Sequence, residues 1–223
     1  MIIVLTDNTL HLNFRPLTLT RPVSEIRFGI LTIKDTWMVF FKQHSKSVSC
    51  FYETEDYLRE KFESTEHYDL KIAGNIKPTS NLIDSILKLK QNESLYCNGK
   101  WLATKGHRED SIVNMTDESF LYIENLWDIF QLNNLAIEID YDLITKDKLS
   151  QPISSTNQVL NADKIFIEDG AKVEFSILNA SNGPIYIGEN AEVMEGSMIR
   201  GGFALLNNAV VKMGAKIYGA TTI

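Results

Sequence analysis

Short apolar runs and one turn signal predict the strands of the first 145 residues. The runs at 2–6, 47–52 and 68–74 have strand length and are rich in aliphatic or aromatic residues. Asn98 and Gly99 stand between two further β-rich runs, which is the commonest signal for a two-residue hairpin. These patterns predict three separate strands and one hairpin.

Four other segments carry helical spacing or helix-start signals. Residues 29–41 place apolar side chains at steps of three and four, as on one helix face. Residues 54–64 predict a polar helix, Ser80 is the expected N-cap of the next helix, and residues 126–144 predict the last one. Strands that alternate with helices form mostly parallel sheets with flanking helices, so residues 1–145 are expected to form an α/β domain.

A polar segment, 146–159, reads as a linker and separates this domain from a region with a different period. Between residues 160 and 223 aliphatic residues recur every six positions, with one interruption of two residues at 179–184, which we expect to form an outward loop. The later of these positions are Ile187, Val193, Ile199, Leu205, Val211, Ile217 and Ile223. A coil with three flat faces keeps such a period, with each aliphatic side chain directed inward. Residues 160–223 therefore predict about three coils of a β-helix, which resembles the left-handed parallel β-helix of the hexapeptide-repeat acyltransferases.

The repeat region also bears on the rest of the protein and on its chemistry. The sequence stops at Ile223, an inward position, and because a solenoid needs a polar cap we expect it to be the front part of a longer protein. Similar acyltransferases use a β-helix histidine as general base, but no histidine lies in this region. Acetyl-CoA is therefore expected only if a part beyond Ile223 supplies the site. Like the proteins it resembles, the chain is expected to be a homo-oligomer, namely a trimer.

Composition and charge narrow the class of protein. Of the 223 residues, 44% are hydrophobic and 23% are charged, which is ordinary for a soluble globular protein. The formal net charge of −7 argues against nucleic acid or an anionic membrane as the main partner. No apolar run reaches the roughly 20 residues of a membrane span, and the opening lacks the basic flank of a signal peptide. With only Cys50 and Cys97, we expect a cytoplasmic protein with reduced thiols.

The loop at 13–25, NFRPLTLTRPVSE, follows the first strand and carries two arginines and two prolines. The segment from Pro16 to Pro22 keeps P-L-T, three residues and P, which resembles the loop of the sugar-1-phosphate nucleotidyltransferases. The order of the two domains resembles the bifunctional enzymes that join N-acetylglucosamine-1-phosphate uridyltransferase to glucosamine-1-phosphate acetyltransferase. This resemblance implies nucleotidyl transfer as the reaction and a nucleotide or sugar phosphate as the ligand.

Most groups that this chemistry uses are missing from the chain. The family has two glycines and an arginine ahead of the P-L-T segment, where this chain has Thr9, His11 and Asn13, and it has a lysine at the position of Val23. Glycines let backbone N–H groups approach phosphates, and cations neutralise the leaving pyrophosphate. The family's Mg²⁺-binding aspartate corresponds to Asn75, a neutral amide and a poor ligand for a hard dication. Nucleotidyl transfer is therefore expected to be weak or lost.

The remaining charged residues near the loop are the candidates for the site. Asp7 is the nearby carboxylate that could substitute as the metal ligand, so Mg²⁺ is expected only through Asp7. Arg15, next to the missing arginine position, is the expected phosphate contact, with solvent exposure as an equal alternative. Arg21 is a further candidate, but Arg21 and Arg27 could instead pair with Glu25 or with helix ends and only fix the loop.

The aromatic and histidine residues give weaker signals. His11 is expected to be solvated rather than to act as a base. Trp37, Trp101 and Trp127 stand in apolar patterns and are expected in the core, with the wall of a sugar pocket as the alternative.

Two hypotheses of function remain from the sequence. In the first, the chain is part of a sugar-nucleotide transferase whose first domain binds a nucleotide or sugar phosphate. In the second, that domain is a non-catalytic scaffold or regulatory domain for a hexapeptide acyltransferase.

Overall fold

The computed structural model describes every residue from Met1 to Ile223. The chain divides into two compact units, Met1–Ile129 and Phe130–Ile223. No helix in either unit is long and apolar enough to cross a membrane.

The strands of the first unit are β1 (Ile2–Thr6), β2 (Ser49–Glu53), β3 (Leu70–Ala73), β4 (Ile76–Lys77), β5 (Glu93–Cys97), β6 (Lys100–Lys105), β7 (Ser111–Met115) and β8 (Leu121–Tyr122). Six of them form one sheet in the order β2-β1-β3-β6-β5-β7. The pairs β1–β2, β1–β3 and β5–β7 are parallel, whereas β6 is antiparallel to both of its neighbours. The predicted mostly parallel α/β sheet is confirmed.

The two faces of this sheet differ in burial. One face carries Ile3, Leu5 and Ile72, which are all fully buried. The opposite face carries Lys71 and Thr104, which pair with each other across β3 and β6 and remain partly exposed. Val4 and Ser94, which pair with Lys71 and Thr104 on the same face, are buried. A parallel sheet usually has both faces covered, so the partly exposed region around Lys71 and Thr104 is a candidate location for a site.

The hairpin predicted at Asn98 and Gly99 connects β5 and β6. Asn98 has a φ of 49° and Gly99 a φ of 75°. Two positive φ angles in succession are what a two-residue turn between right-twisted strands requires, and asparagine and glycine adopt them most readily.

The helices of the chain are α1 (Ile33–Gln43), α2 (Ser80–Leu87), α3 (Leu126–Gln131) and α4 (Asn133–Thr145). α1 begins at Ile33 because the Thr32 hydroxyl caps it by accepting a hydrogen bond from the Asp35 N–H at 3.0 Å. Ser80, predicted as an N-cap, is instead the first helical residue of α2, and Thr79 precedes it. The single helix predicted at 126–144 is two helices, which separate at Leu132.

The helix predicted at 54–64 is absent. This segment contains only a short 3-10 turn, Asp56–Leu58. The Tyr52 N–H donates to the Glu63 carbonyl at 2.9 Å, which brings the two ends of the segment together. A straight helix of this length would hold its ends about 16 Å apart, so the segment closes as a loop over the buried Leu58 and Phe62.

The strands of the second unit are β9 (Gln158–Leu160), β10 (Ile165–Ile167), β11 (Lys172–Val173), β12 (Ile177–Asn179), β13 (Ile185–Ile187), β14 (Glu192–Val193), β15 (Met198–Arg200), β16 (Phe203–Leu205), β17 (Val210–Val211), β18 (Lys216–Ile217) and β19 (Thr221–Thr222). They form three parallel sheets, β10-β13-β16-β19, β11-β14-β17 and β18-β15-β12-β9. Successive turns of the chain add one strand to each sheet. The predicted parallel strands are therefore present as a three-sided coil.

The six-residue period has the structural meaning predicted for it. Ile187, Val193, Ile199, Leu205 and Val211 are all buried in one apolar core. Ile217 packs against the edge of that core and is partly buried. Ile223, which the period also predicts as an inward position, is instead 45% exposed.

Helix α4 lies in the second unit rather than in the first domain predicted for residues 1–145. The Asn134 side chain accepts a hydrogen bond from the Gly202 N–H at 3.1 Å, and Asn133 donates to the Thr222 hydroxyl at 3.3 Å. These contacts fasten the helix to the coil, so the helix that follows the first domain in sequence packs with the second.

Candidate functional site

The first unit contains a pocket of about 950 Å³. It begins at the carboxyl ends of β1 and β2, where Thr6–Thr9 and Glu53–Tyr57 line it, and it includes Lys71, Trp101 and Thr104 on the partly exposed face of the sheet. Ligands of open α/β sheets bind outside the carboxyl ends of the strands. The pocket is therefore the candidate site of this domain.

Asp7, directly after β1, joins the segments around one end of the pocket. Its side chain is 4% exposed. One oxygen accepts the Val23 N–H at 2.7 Å, and the other accepts the Thr54 hydroxyl at 2.5 Å and lies 2.9 Å from His11 Nδ1. The carboxylate thus holds the 13–25 loop and the loop after β2 in fixed positions.

His11 is buried rather than solvated, contrary to the sequence expectation, since only 2% of it is exposed. Its Nδ1 faces Asp7, and its Nε2 lies 3.1 Å from the Tyr57 hydroxyl. His11 lies on a short 3-10 turn, Leu10–Phe14, and Asp7, four residues earlier, gives the imidazole a buried partner. His11 therefore links the two loops through hydrogen bonds at both ring nitrogens.

The P-L-T segment is held by contacts that need no ligand. Thr18 is completely buried, and its hydroxyl donates to the His11 carbonyl at 2.6 Å. Val23 is also completely buried, and its N–H is bound by Asp7. The loop shape thus rests on internal hydrogen bonds and packing.

Asn13 and Asn75, which stand at two positions of the family motif, both bind the backbone of residues 123–124. Asn75 is buried and donates from Nδ2 to the Ile123 carbonyl at 2.7 Å. Asn13 donates from Nδ2 to the Glu124 carbonyl at 3.1 Å. Both side chains therefore fasten residues 123–124.

Gly74, just before Asn75, is required for close packing. A Cβ there would lie 2.9 Å from the Thr6 carbonyl oxygen. This distance is too short for a carbon–oxygen contact, so only glycine lets the end of β3 approach the end of β1 here.

Residues of the first unit and the start of the second match a known protein family. The model of the family described as sugar nucleotidyl transferase matches residues 2–149, which is well over half of the chain. The chain belongs to the sugar nucleotidyl transferase family. No curated protein matches its sequence.

Sugar nucleotidyl transferases of the kind that the sequence resembles use Mg²⁺, so the fit of a metal to the predicted ligands matters. Both oxygens of Asp7 already accept hydrogen bonds, and Asn75, whose Nδ2 donates to the Ile123 carbonyl, offers only one uncharged oxygen. A hard dication needs several free oxygen ligands. As arranged, Asp7 and Asn75 do not fit a Mg²⁺ ion, and we derive no step through one.

The three arginines in and after the 13–25 loop, Arg15, Arg21 and Arg27, lie outside the pocket lining of this sugar nucleotidyl transferase domain. Arg15 and Arg21 are exposed, and neither side chain makes a hydrogen bond or ion pair within the chain. Arg27 donates to the Ile30 carbonyl. The sequence left open that Arg21 and Arg27 pair with Glu25 and so fix the loop. In the structure Glu25 pairs with neither arginine.

Glu25 instead binds residues of other elements. It accepts the Tyr52 hydroxyl and lies 3.3 Å from Lys34 Nζ. Burial and this hydrogen bond to Glu25 raise the pKa of Tyr52, so the phenol stays protonated and donates.

Several pocket residues were not singled out as site residues from the sequence. Lys71 pairs with Glu53 at 2.7 Å. Burial alone would raise the pKa of Glu53, but hydrogen bonds from Lys71 and Thr6 outweigh it and lower the pKa, which keeps Glu53 ionised. Tyr68 packs on His107, with 4.3 Å between ring centroids.

The three tryptophans have three different positions. Trp37 is in the core, as expected, and Trp127 is exposed. Trp101 lines the pocket, in agreement with the alternative of a pocket wall, and its indole N–H donates to the Thr104 hydroxyl at 2.8 Å. A register shift between Leu95 and Tyr96 puts Tyr96 opposite Trp101. The alternation of the sequence does not reveal such a bulge.

Proposed function

We propose that the first unit binds a nucleotide or sugar phosphate and carries out nucleotidyl transfer weakly or not at all. Membership of the sugar nucleotidyl transferase family supports the class of ligand. One observation supports the reduced activity. At the motif positions where the family has an arginine, a lysine and an aspartate, this chain has Asn13, Val23 and Asn75. All three residues are neutral, and each makes a hydrogen bond within the protein.

The argument from these positions is electrostatic. As pyrophosphate leaves, negative charge develops on its oxygens, and catalysis depends on positive charge placed there in advance. A valine and two amides cannot supply that charge, and rebuilding it at the completely buried Val23 would place an unpaired charge in the core. Binding needs less from the site than transfer does, because a bound ground state keeps its phosphate charges delocalised and partly hydrated.

We further propose that the coil of the second unit is a left-handed β-helix of the hexapeptide acyltransferase type. The six-residue period, which is interrupted only at 179–184, and the three parallel sheets support this proposal. The alternative function is a non-catalytic scaffold or regulatory domain for an acyltransferase. That function would require no ligand in the pocket.

The function is tested by separate assays of binding and turnover. Calorimetry with UTP, dTTP, a nucleotide sugar and hexose 1-phosphates is expected to find a ligand, whereas pyrophosphate release from UTP or dTTP with Mg²⁺ and any hexose 1-phosphate should be near background. Mg²⁺-dependent release well above background that disappears in Asp7→Ala would overturn the proposed loss of transfer. Failure of every ligand to bind would favour the scaffold.

Self-association through the second unit is a further part of this proposal. Three exposed apolar side chains lie on or next to strands of the β18-β15-β12-β9 sheet, namely Leu160, Met198 and Tyr218. A group of exposed apolar side chains is typical of an interface between subunits. Sedimentation equilibrium is expected to give about three times the chain mass of 25.3 kDa, and Met198→Glu should shift the distribution to monomer. A monomer at high micromolar concentration would contradict the trimer.

A further inference from the structure

The pocket has a charge pattern that does not suit a nucleoside triphosphate. Its lining contains two cations and five carboxylates, namely Lys71, Arg108, Asp7, Glu53, Glu55, Asp56 and Glu109, which gives a formal charge of −3 with histidine neutral. A triphosphate brings about four negative charges and needs several cations, metal ions or backbone N–H groups around it. The lining repels such a ligand.

Only one cation in the lining is free. Lys71 is bound to Glu53 at 2.7 Å. Arg108, in the connection between β6 and β7, makes no hydrogen bond or ion pair with any residue of the chain and is exposed at the pocket. A free guanidinium can bind one phosphate group with two parallel hydrogen bonds.

The same pocket has an aromatic wall whose polar atoms are already satisfied. The Trp101 N–H donates to Thr104, and the Tyr96 hydroxyl donates to Glu109 at 3.0 Å. Burial and the hydrogen bond to Glu109 raise the pKa of Tyr96, so this phenol keeps its proton. Both side chains are partly exposed and line the pocket, and aromatic rings at a pocket wall can pack against flat apolar surfaces of a ligand.

The carboxylates of the pocket favour a sugar over a nucleobase as the ligand. An ionised carboxylate can only accept hydrogen bonds, and Glu53 and Glu109 lie on the same lining as Trp101. A sugar ring presents C–H groups to an aromatic face and several hydroxyl donors at its edge. A nucleobase also stacks but offers few donors.

We propose that the ligand site of this domain has moved from the 13–25 loop to the open face of the sheet, where Arg108 binds the single phosphate of a sugar monophosphate and Trp101 packs on the sugar ring. This inference rests on the proposed function, since it identifies the ligand and its contacts. It makes Arg108, and not Arg15 or Arg21, the anion contact. It also requires the pocket to prefer a sugar monophosphate over a nucleoside triphosphate.

The test is calorimetry with the whole chain and four probes, namely glucose 1-phosphate, N-acetylglucosamine 1-phosphate, inorganic phosphate and UTP. At least one sugar phosphate is expected to bind more tightly than UTP. Arg108→Gln should weaken sugar phosphate binding about ten- to hundredfold, the usual range for a charge-assisted contact. Arg15→Gln and Arg21→Gln remove the same charge from exposed loop positions and should change the affinity less than about twofold.

Trp101 is tested with a pair of variants. Trp101→Leu should weaken the sugar phosphate about tenfold but leave inorganic phosphate unchanged, and Trp101→Phe, which keeps a ring face, should restore most of the affinity. A loss with Arg15→Gln and none with Arg108→Gln, or tighter binding of UTP, would overturn the inference while the proposed function stands. If none of the probes bound the unaltered chain, the proposed function would fail as well.

Discussion

Replacing Val193 by aspartate is expected to unfold the coil of the second unit. Val193 is 2% exposed and lies in the middle strand of the β11-β14-β17 sheet. The change removes a burial worth about 1.5–3 kcal/mol. It also places a carboxylate without a partner in an apolar core, which costs several kcal/mol more. Because the free energy of unfolding of a domain of this size is only about 5–15 kcal/mol, the variant should lose most of it.

The measurement is urea unfolding followed by far-UV circular dichroism, with Val210→Asp as the matched control. Val210 lies on the neighbouring strand β17, but its side chain points outward and is 37% exposed. The same substitution there should shift the midpoint only slightly. Equal effects at Val193 and Val210 would contradict the assignment of inward and outward positions that the six-residue period predicts.

Replacing Asp7 by alanine is expected to have the largest effect in the first unit. The change leaves the Val23 N–H, the Thr54 hydroxyl and His11 Nδ1 without their shared acceptor, and of these three residues Val23 and His11 are buried. Each buried donor without a partner costs about 1–3 kcal/mol, so we expect a loss of stability of about 2–5 kcal/mol. The two loops that Asp7 joins should become more mobile, and ligand binding in the pocket should fall with them.

Asp56→Ala provides the control for charge. Asp56 lines the same pocket, but its side chain is exposed and pairs with Arg59 at the surface at 2.9 Å. Both variants remove one negative charge from the lining, whereas only Asp7→Ala breaks the buried network. Hydrogen exchange of the Val23 and Thr54 amides should accelerate in Asp7→Ala alone. If both variants behaved alike, the role of Asp7 would be electrostatic and not structural.

The shape of the 13–25 loop has its physical origin in contacts within the protein. Thr18 and Asp7 hold the loop with hydrogen bonds inside the protein, so its form persists without any phosphate. Asn13 and Asn75 bind the backbone at 123–124 and add to these internal contacts.

The sequence by itself determined the features that depend on local spacing. A six-residue period admits few structures other than a three-sided coil, because each aliphatic residue must reach the same core once per face, and Ile187 and Leu205 lie there. The β1 strand and the Asn98–Gly99 turn also follow from short-range preferences of the backbone. These features were predictable because each depends on residues close together in the chain.

Only the tertiary structure decided how distant segments meet. The contact between Tyr52 and Glu63 closes the 54–64 segment as a loop, although its pattern predicts a helix. The pocket brings together Asp7, Lys71 and Arg108 from separate elements, and the bulge at Leu95 places Tyr96 opposite Trp101. Strand register, loop closure and the partner of each charge depend on long-range packing, and the local pattern of residues does not contain that information.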